Sequence, residues 1–128
     1  MYKEAKDNPL LSKAFNFSLQ IISLYKTLQT ENHEYVLSKQ LLRCATSIGA
    51  NLSEGVIAQS RHDFIAKLSI SLKEAYETRY WLNLLLYSNY INNIDKEISL
   101  LEEIIRMLVK SIKSARENEE IVKERKKK

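Results

Sequence analysis

The run Leu41-Leu42-Arg43-Cys44-Ala45-Thr46-Ser47-Ile48-Gly49-Ala50-Asn51-Leu52-Ser53-Glu54-Gly55 decides the fold. Leu41, Leu42, Cys44, Ala45, Ile48 and Leu52 recur at helical spacing and form a buried stripe. A second stripe, Gln40, Arg43, Ser47, Asn51 and Glu54, advances in steps of 3, 4, 4 and 3 and so shares one helix face. A helix with one apolar and one polar seam packs against neighbours on more than one side. Glycine inside a helix costs about 1 kcal/mol against alanine. Gly49 therefore predicts close backbone approach by another helix, and Gly55 either does the same or helps end the helix.

Working outward, Ser38 fits the N-cap of this helix, with Leu37 and Leu42 as a hydrophobic staple. Before it, Asn8-Pro9 opens a first helix: asparagine caps, and proline suits the first position, where no N–H is needed. Leu10, Ala14, Phe17, Ile21, Leu24 and Leu28 then hold one stripe until a polar connection at 29–34. After it, Ser60-Arg61-His62-Asp63 opens a third helix as a variant capping box. That helix runs through Phe64, Leu68, Leu72, Ala75, Leu82, Leu85 and Leu86 to about Tyr90. A fourth starts near Asp95, carries Ile98, Leu101, Ile105, Leu108, Ile112 and Ala115, and frays into charged sequence. Short connections make neighbours antiparallel. The sequence thus predicts an all-α, up-down-up-down four-helix bundle over 1–122, with helices at about 9–30, 38–57, 61–90 and 95–119. Residues 123–128 read as a disordered basic tail.

Composition agrees. The 128 residues include two glycines and one proline, too few for the turns of a β-rich domain. A hydrophobic fraction of 45% supports one sizeable core. The formal charge is +4, yet residues 1–122 carry 15 basic and 15 acidic side chains, so the whole excess lies in 123–128. The high pI is therefore poor evidence for a basic bundle surface. One cysteine, no apolar signal-peptide core and no membrane-length apolar run lead to an expectation of a cytoplasmic protein with no membrane role.

The polar stripe has an answer on the third helix in Lys67, Glu74, Glu77 and Thr78. With the interhelical turn centred near residue 58 or 59, Arg43 falls opposite Glu74, and Glu54 comes within reach of Lys67. Arg43, Ser47, Asn51, Glu54, Glu74 and Glu77 then form a structural polar seam that fixes register. A solvated face with incidental charges has the same spacing. If the Arg43–Glu74 pair is buried, removing the arginine costs a few kcal/mol.

The Leu41–Gly55 run resembles the signature of the bacterial four-helix-bundle family encoded in 23S rRNA intervening sequences, whose members usually read Arg-Ser-Ala-x-Ser-Ile-x-x-Asn-Ile-Ala-Glu-Gly. Ser60, Asp63-Phe64, Lys67-Leu68, Lys73-Glu74-Ala75, Glu77-Thr78 and Tyr80-Trp81-Leu82 also match. Cys44 stands where serine is common, and Leu52-Ser53 where Ile-Ala is common. The resemblance implies a ring-like homopentamer without an established biochemical activity. It also implies similarity to the accessory variability protein of diversity-generating retroelements, a pentameric barrel that binds nucleic acid and a reverse transcriptase.

The residues themselves suggest no enzyme. Thr30 and Gln59 stand three before His33 and His62, so the Glu-x-x-His motif of a di-iron bundle is missing. There is no zinc spacing and no phosphate loop. Cys44 reads as a core thiol and His62 as an exposed first-turn residue. The expectation is no catalytic residue, metal, cofactor or small-molecule substrate. Two functions remain. One is nucleic-acid binding by Lys39, Arg61, Lys67, Lys73, Arg79 and the tail residues Lys123, Arg125, Lys126, Lys127 and Lys128. The other is a protein scaffold, with Tyr76, Tyr80, Trp81 and Tyr87 at a subunit interface.

Overall fold

The computed structural model describes residues 2–127. After a short 3-10 turn at Lys3–Ala5 come four helices: α1 (Pro9–Thr30), α2 (Leu37–Val56), α3 (Arg61–Tyr87) and α4 (Asp95–Lys127). α1 packs on α2 and α4, and α3 packs on α2 and α4, which closes a square up-down-up-down bundle. Phe17, Ile21, Leu41, Ile48, Leu68, Leu82, Leu101, Ile104 and Leu108 fill its centre, all fully buried. No helix among the described residues is long and apolar enough to cross a membrane.

Two helix starts follow their sequence signals. The Asn8 side chain accepts the Leu11 N–H at 3.0 Å, with Pro9 in the first position. The Ser60 hydroxyl accepts the Asp63 N–H at 3.1 Å. The start of α2 corrects the assignment of Ser38 as its cap. Glu34, assigned to the polar connection, is buried, and its carboxylate accepts the N–H groups of Val36 (3.0 Å), Leu37 (2.8 Å) and Ser38 (2.7 Å). A carboxylate serving three unpaired helix N–H groups beside the positive end of the dipole caps more strongly than one hydroxyl. Ser38 lies inside the first turn, where it accepts from Gln29 Nε2 at 2.8 Å and donates to the Glu34 carbonyl at 2.8 Å.

The ends of α3 and α4 also differ from expectation. α3 stops at Tyr87 rather than Tyr90, because Asn89 takes a left-handed conformation (φ 68°). The Asn89 N–H donates to the Leu86 carbonyl and the Tyr90 N–H to that of Leu85, which terminates the helix in a Schellman motif. α4 continues as helix through Lys127, so residues 123–127 are not the disordered tail that their charge suggested. Packing up to Ala115 supplies the nucleus, glutamate and lysine propagate the helix well, and the terminal cations suit its negative end. No residue of 116–127 is buried, so about 18 Å of helix extends past the core.

Candidate nucleic-acid interface

α3 presents two unlike sides. Towards α2 it is closed. A Cβ on Gly55 would meet Leu68 Cδ1 at 3.0 Å and Lys67 Cβ at 3.3 Å, so this glycine permits the close approach of α2 and α3. At Gly49 the α1 backbone does come close, with the Ala14 carbonyl carbon and oxygen 3.8 and 3.9 Å from where a Cβ would lie, but this is ordinary contact and a methyl group fits. The Ser71 hydroxyl donates to the Ile48 carbonyl at 2.8 Å across the buried seam. Thr78 Oγ1 lies 3.2 Å from Cys44 Sγ and donates to its own helix at the Glu74 carbonyl, 2.7 Å away. Burial pushes the Cys44 thiol up to about 11, so it stays protonated as a core thiol.

The charged members of the seam sit at its rim. Lys67 Nζ meets Glu54 at 2.6 Å, as the antiparallel register predicts. Arg43 reaches both Glu77, by a short hydrogen bond, and Glu74 Oε2, at 3.6 Å. The Arg43 side chain is 52% exposed, so the buried pair considered from sequence is instead a surface node. Asn51 bonds back to the Ser47 carbonyl at 2.9 Å and so is committed within α2. Cys44, Glu74 and Glu77 bring ligand-type atoms within 4.8 Å of one another. Arg43 forms ion pairs with both of these carboxylates.

Away from α2 the surface is open. Lys73, Tyr76, Tyr80 and Tyr87 lie within one outward arc of α3 by helical spacing. The three tyrosines are 43%, 61% and 81% exposed. Trp81 belongs elsewhere: it is half-buried, packs on the core and touches Tyr80 edge-on at 5.3 Å. On α4, Arg106, Val109, Lys113 and Arg116 form a parallel stripe in steps of 3, 4 and 3, every member exposed. The helices meet in two adjoining depressions. One, of about 350 Å³, joins Leu72, Lys73, Tyr76, Ile112 and Arg116. The other, of about 290 Å³, joins Leu72, Val109, Ile112, Lys113, Arg116 and Glu117. Among the described residues Lys73, Arg106, Lys113 and Arg116 have no ion-pair partner.

The predicted contacts separate accordingly. Lys67 is held by Glu54, and Arg79 by Glu102 at 2.6 Å, with its guanidinium 5.1 Å from the Tyr76 ring centre. Lys39 and Arg61 stand at opposite ends of the bundle, since one begins α2 and the other follows its end. Lys73 alone of the bundle candidates joins the open face. Lys123, 3.9 Å from Glu119, and the exposed Arg125, Lys126 and Lys127 occupy the projecting end of α4. Lys128 lies outside the described residues. Sequence reasoning missed Arg106, Lys113 and Arg116; their spacing with Val109 was the available signal.

The architecture is that of a helical bundle with an ion-paired polar seam between α2 and α3. Residues 6–110 match the family model described as 23S rRNA-intervening sequence protein, and the chain belongs to that family. α4 beyond residue 110 lies outside the matched span. The structure is similar to the crystal structure of a protein with unknown function from the S23 ribosomal protein family of Bacteroides thetaiotaomicron VPI-5482. The two are 47% identical with a TM-score of 0.80, covering 81% of this chain and 98% of that one. No protein of curated function matches the chain.

Proposed function

We propose that this protein is a non-enzymatic, self-associating bundle that binds nucleic acid through the open α3–α4 face and the basic end of α4. The observation that carries this reading is the pairing pattern of its cations. Across the α2–α3 seam Arg43 and Lys67 have carboxylate partners, whereas Lys73, Lys113 and Arg116 line an apolar-floored groove beside the exposed tyrosines, and Arg106 stands exposed further along the same stripe of α4. Exposed cations with no internal partner are free to replace the counterions of a phosphate backbone. The near-neutral sum over 1–122 does not oppose this, because binding follows local potential. Self-association into a homopentamer is the expectation that family resemblance adds, and it would multiply a weak site by avidity. A scaffold that binds only protein is the alternative, supported by the same tyrosines.

Titration of structured RNA and duplex DNA at several salt concentrations tests the reading, with and without residues 123–128. Binding that weakens steeply with salt and survives removal of the tail is expected. No binding at low salt would overturn it, and binding lost entirely with the tail would remove the bundle face from the account. Light scattering on the same samples gives the subunit count, and a clean monomer would overturn self-association.

A further inference from the structure

We infer that the open face takes single-stranded nucleic acid, with bases stacked on Tyr80 and Tyr87 and phosphates held by Lys73 and Arg116. This rests on the reading of the face as a nucleic-acid site and specifies its ligand. Tyr80 and Tyr87 are 61% and 81% exposed, and each offers a flat apolar ring with a polar tip, the kind of side chain enriched where a partner is met. Tyr76 is already partly covered by Arg79, which leaves Tyr80 and Tyr87 as the open rings. Along α3, Tyr76 and Tyr80 are about 6 Å apart and Tyr80 and Tyr87 about 10 Å apart, at 1.5 Å per residue. Bases in a duplex strand repeat every 3.4 Å or so and hide their faces from one another. The wider tyrosine spacing suits bases pulled out of a stack, which only a single strand offers without unpairing. Lys73 precedes the first tyrosine on the same arc, and Arg116 lines the same depression as Tyr76. Positive charge thus borders one end of an aromatic row, the combination by which single strands are held without base-specific readout.

The test compares an oligo-uridine strand with a hairpin duplex of equal charge, both at low salt, using Tyr80→Ala, Tyr87→Ala and Tyr80→Phe in the full chain. Because Tyr80 and Tyr87 are exposed, these variants keep the fold. Trp81, the sole tryptophan, touches Tyr80 and reports occupancy through its emission. The expected results are tighter binding of oligo-uridine than of duplex and a change in Trp81 emission on binding. Either alanine variant should lose roughly 5- to 150-fold in affinity for the strand, and Tyr80→Phe should bind as the parent does. Equal affinity for both probes, or alanine variants that bind the strand normally, would overturn the single-strand inference while leaving nucleic-acid binding intact. A loss of assembled mass in Tyr80→Ala with unchanged oligonucleotide affinity would assign the row to a subunit contact and overturn it too. No binding of either probe would overturn the inference and the proposed function together.

Discussion

The two sides of α3 use similar residues to opposite ends. Towards α2, Arg43 and Lys67 meet Glu74, Glu77 and Glu54, small residues let the backbones approach, and Ser71 bonds across the seam. Towards α4 and solvent, Lys73, Lys113 and Arg116 surround Leu72 and Tyr76; Glu117 lines the same depression as Lys113 and Arg116 but pairs with neither. Paired charge at a helix interface specifies register and adds little energy when its side chains are half exposed. Unpaired charge beside exposed aromatic rings adds nothing to the fold and is available to a partner. The difference lies in pairing and exposure, since residue type is much the same on both sides.

The closed side should break most readily at its tightest point. Gly55→Val places methyl groups beyond a Cβ that would itself meet Leu68 and Lys67 at 3.0–3.3 Å, and overpacking of this kind should cost about 2–3 kcal/mol. Chemical denaturation reads it, and an unchanged midpoint would mean that α2 and α3 separate easily. Next in size is the cap that starts α2. Glu34→Ala leaves three N–H groups without their acceptor and should cost about 2 kcal/mol at neutral pH. Burial pushes the Glu34 carboxyl up, but hydrogen bonds from the backbone of Leu37, Ser38 and Val36 outweigh it and hold its pKa below the usual value. A lowered folded pKa means that this stability is present above the unfolded value, near 4.5, and is lost as pH falls through the folded one. Parent and variant should therefore converge in stability in acid, and a constant gap down to pH 2 would contradict the cap.

The open side should respond in the other currency. Changing Lys73, Lys113 and Arg116 together to glutamine should leave the melting temperature in place and weaken strand binding about tenfold at low salt. The salt slope should fall by about 2, at roughly 0.7 per phosphate contact on a single strand. A large loss of stability would show that these cations hold α3 to α4. The smallest effect belongs to Arg43→Ala, expected below about 1 kcal/mol because the side chain is 52% exposed. A loss of several kcal/mol would restore the buried pair that spacing alone suggested.

How much of this was legible depends on what each feature needs. The helices, the caps at Asn8 and Ser60 and the partners of Arg43 and Lys67 need only local spacing and one antiparallel register. The Glu34 cap needs a left-handed turn at His33 (φ 53°) that swings a carboxylate back under α2, and nothing in a polar connection announces it. Exposure of the Arg43 pair depends on how far the rim opens, which periodicity does not report. Which glycine sits in the tighter place depends on the neighbour it faces, Leu68 for Gly55 and Ala14 for Gly49. The open face was half legible. Its tyrosines and Lys73 stood out on α3, but the cations of α4 gained meaning only once packing set them beside Leu72 and Tyr76.

Six of the seven tyrosines, leaving aside Tyr90 in the turn after α3, allow a direct test of which side of α3 meets a ligand. Ring resonances of the labelled protein, followed by NMR as oligo-uridine is added, should shift at Tyr76, Tyr80 and Tyr87 and stay in place at Tyr2, Tyr25 and Tyr35, which lie outside α3. Shifts confined to those other rings, or none at a saturating concentration, would contradict the account.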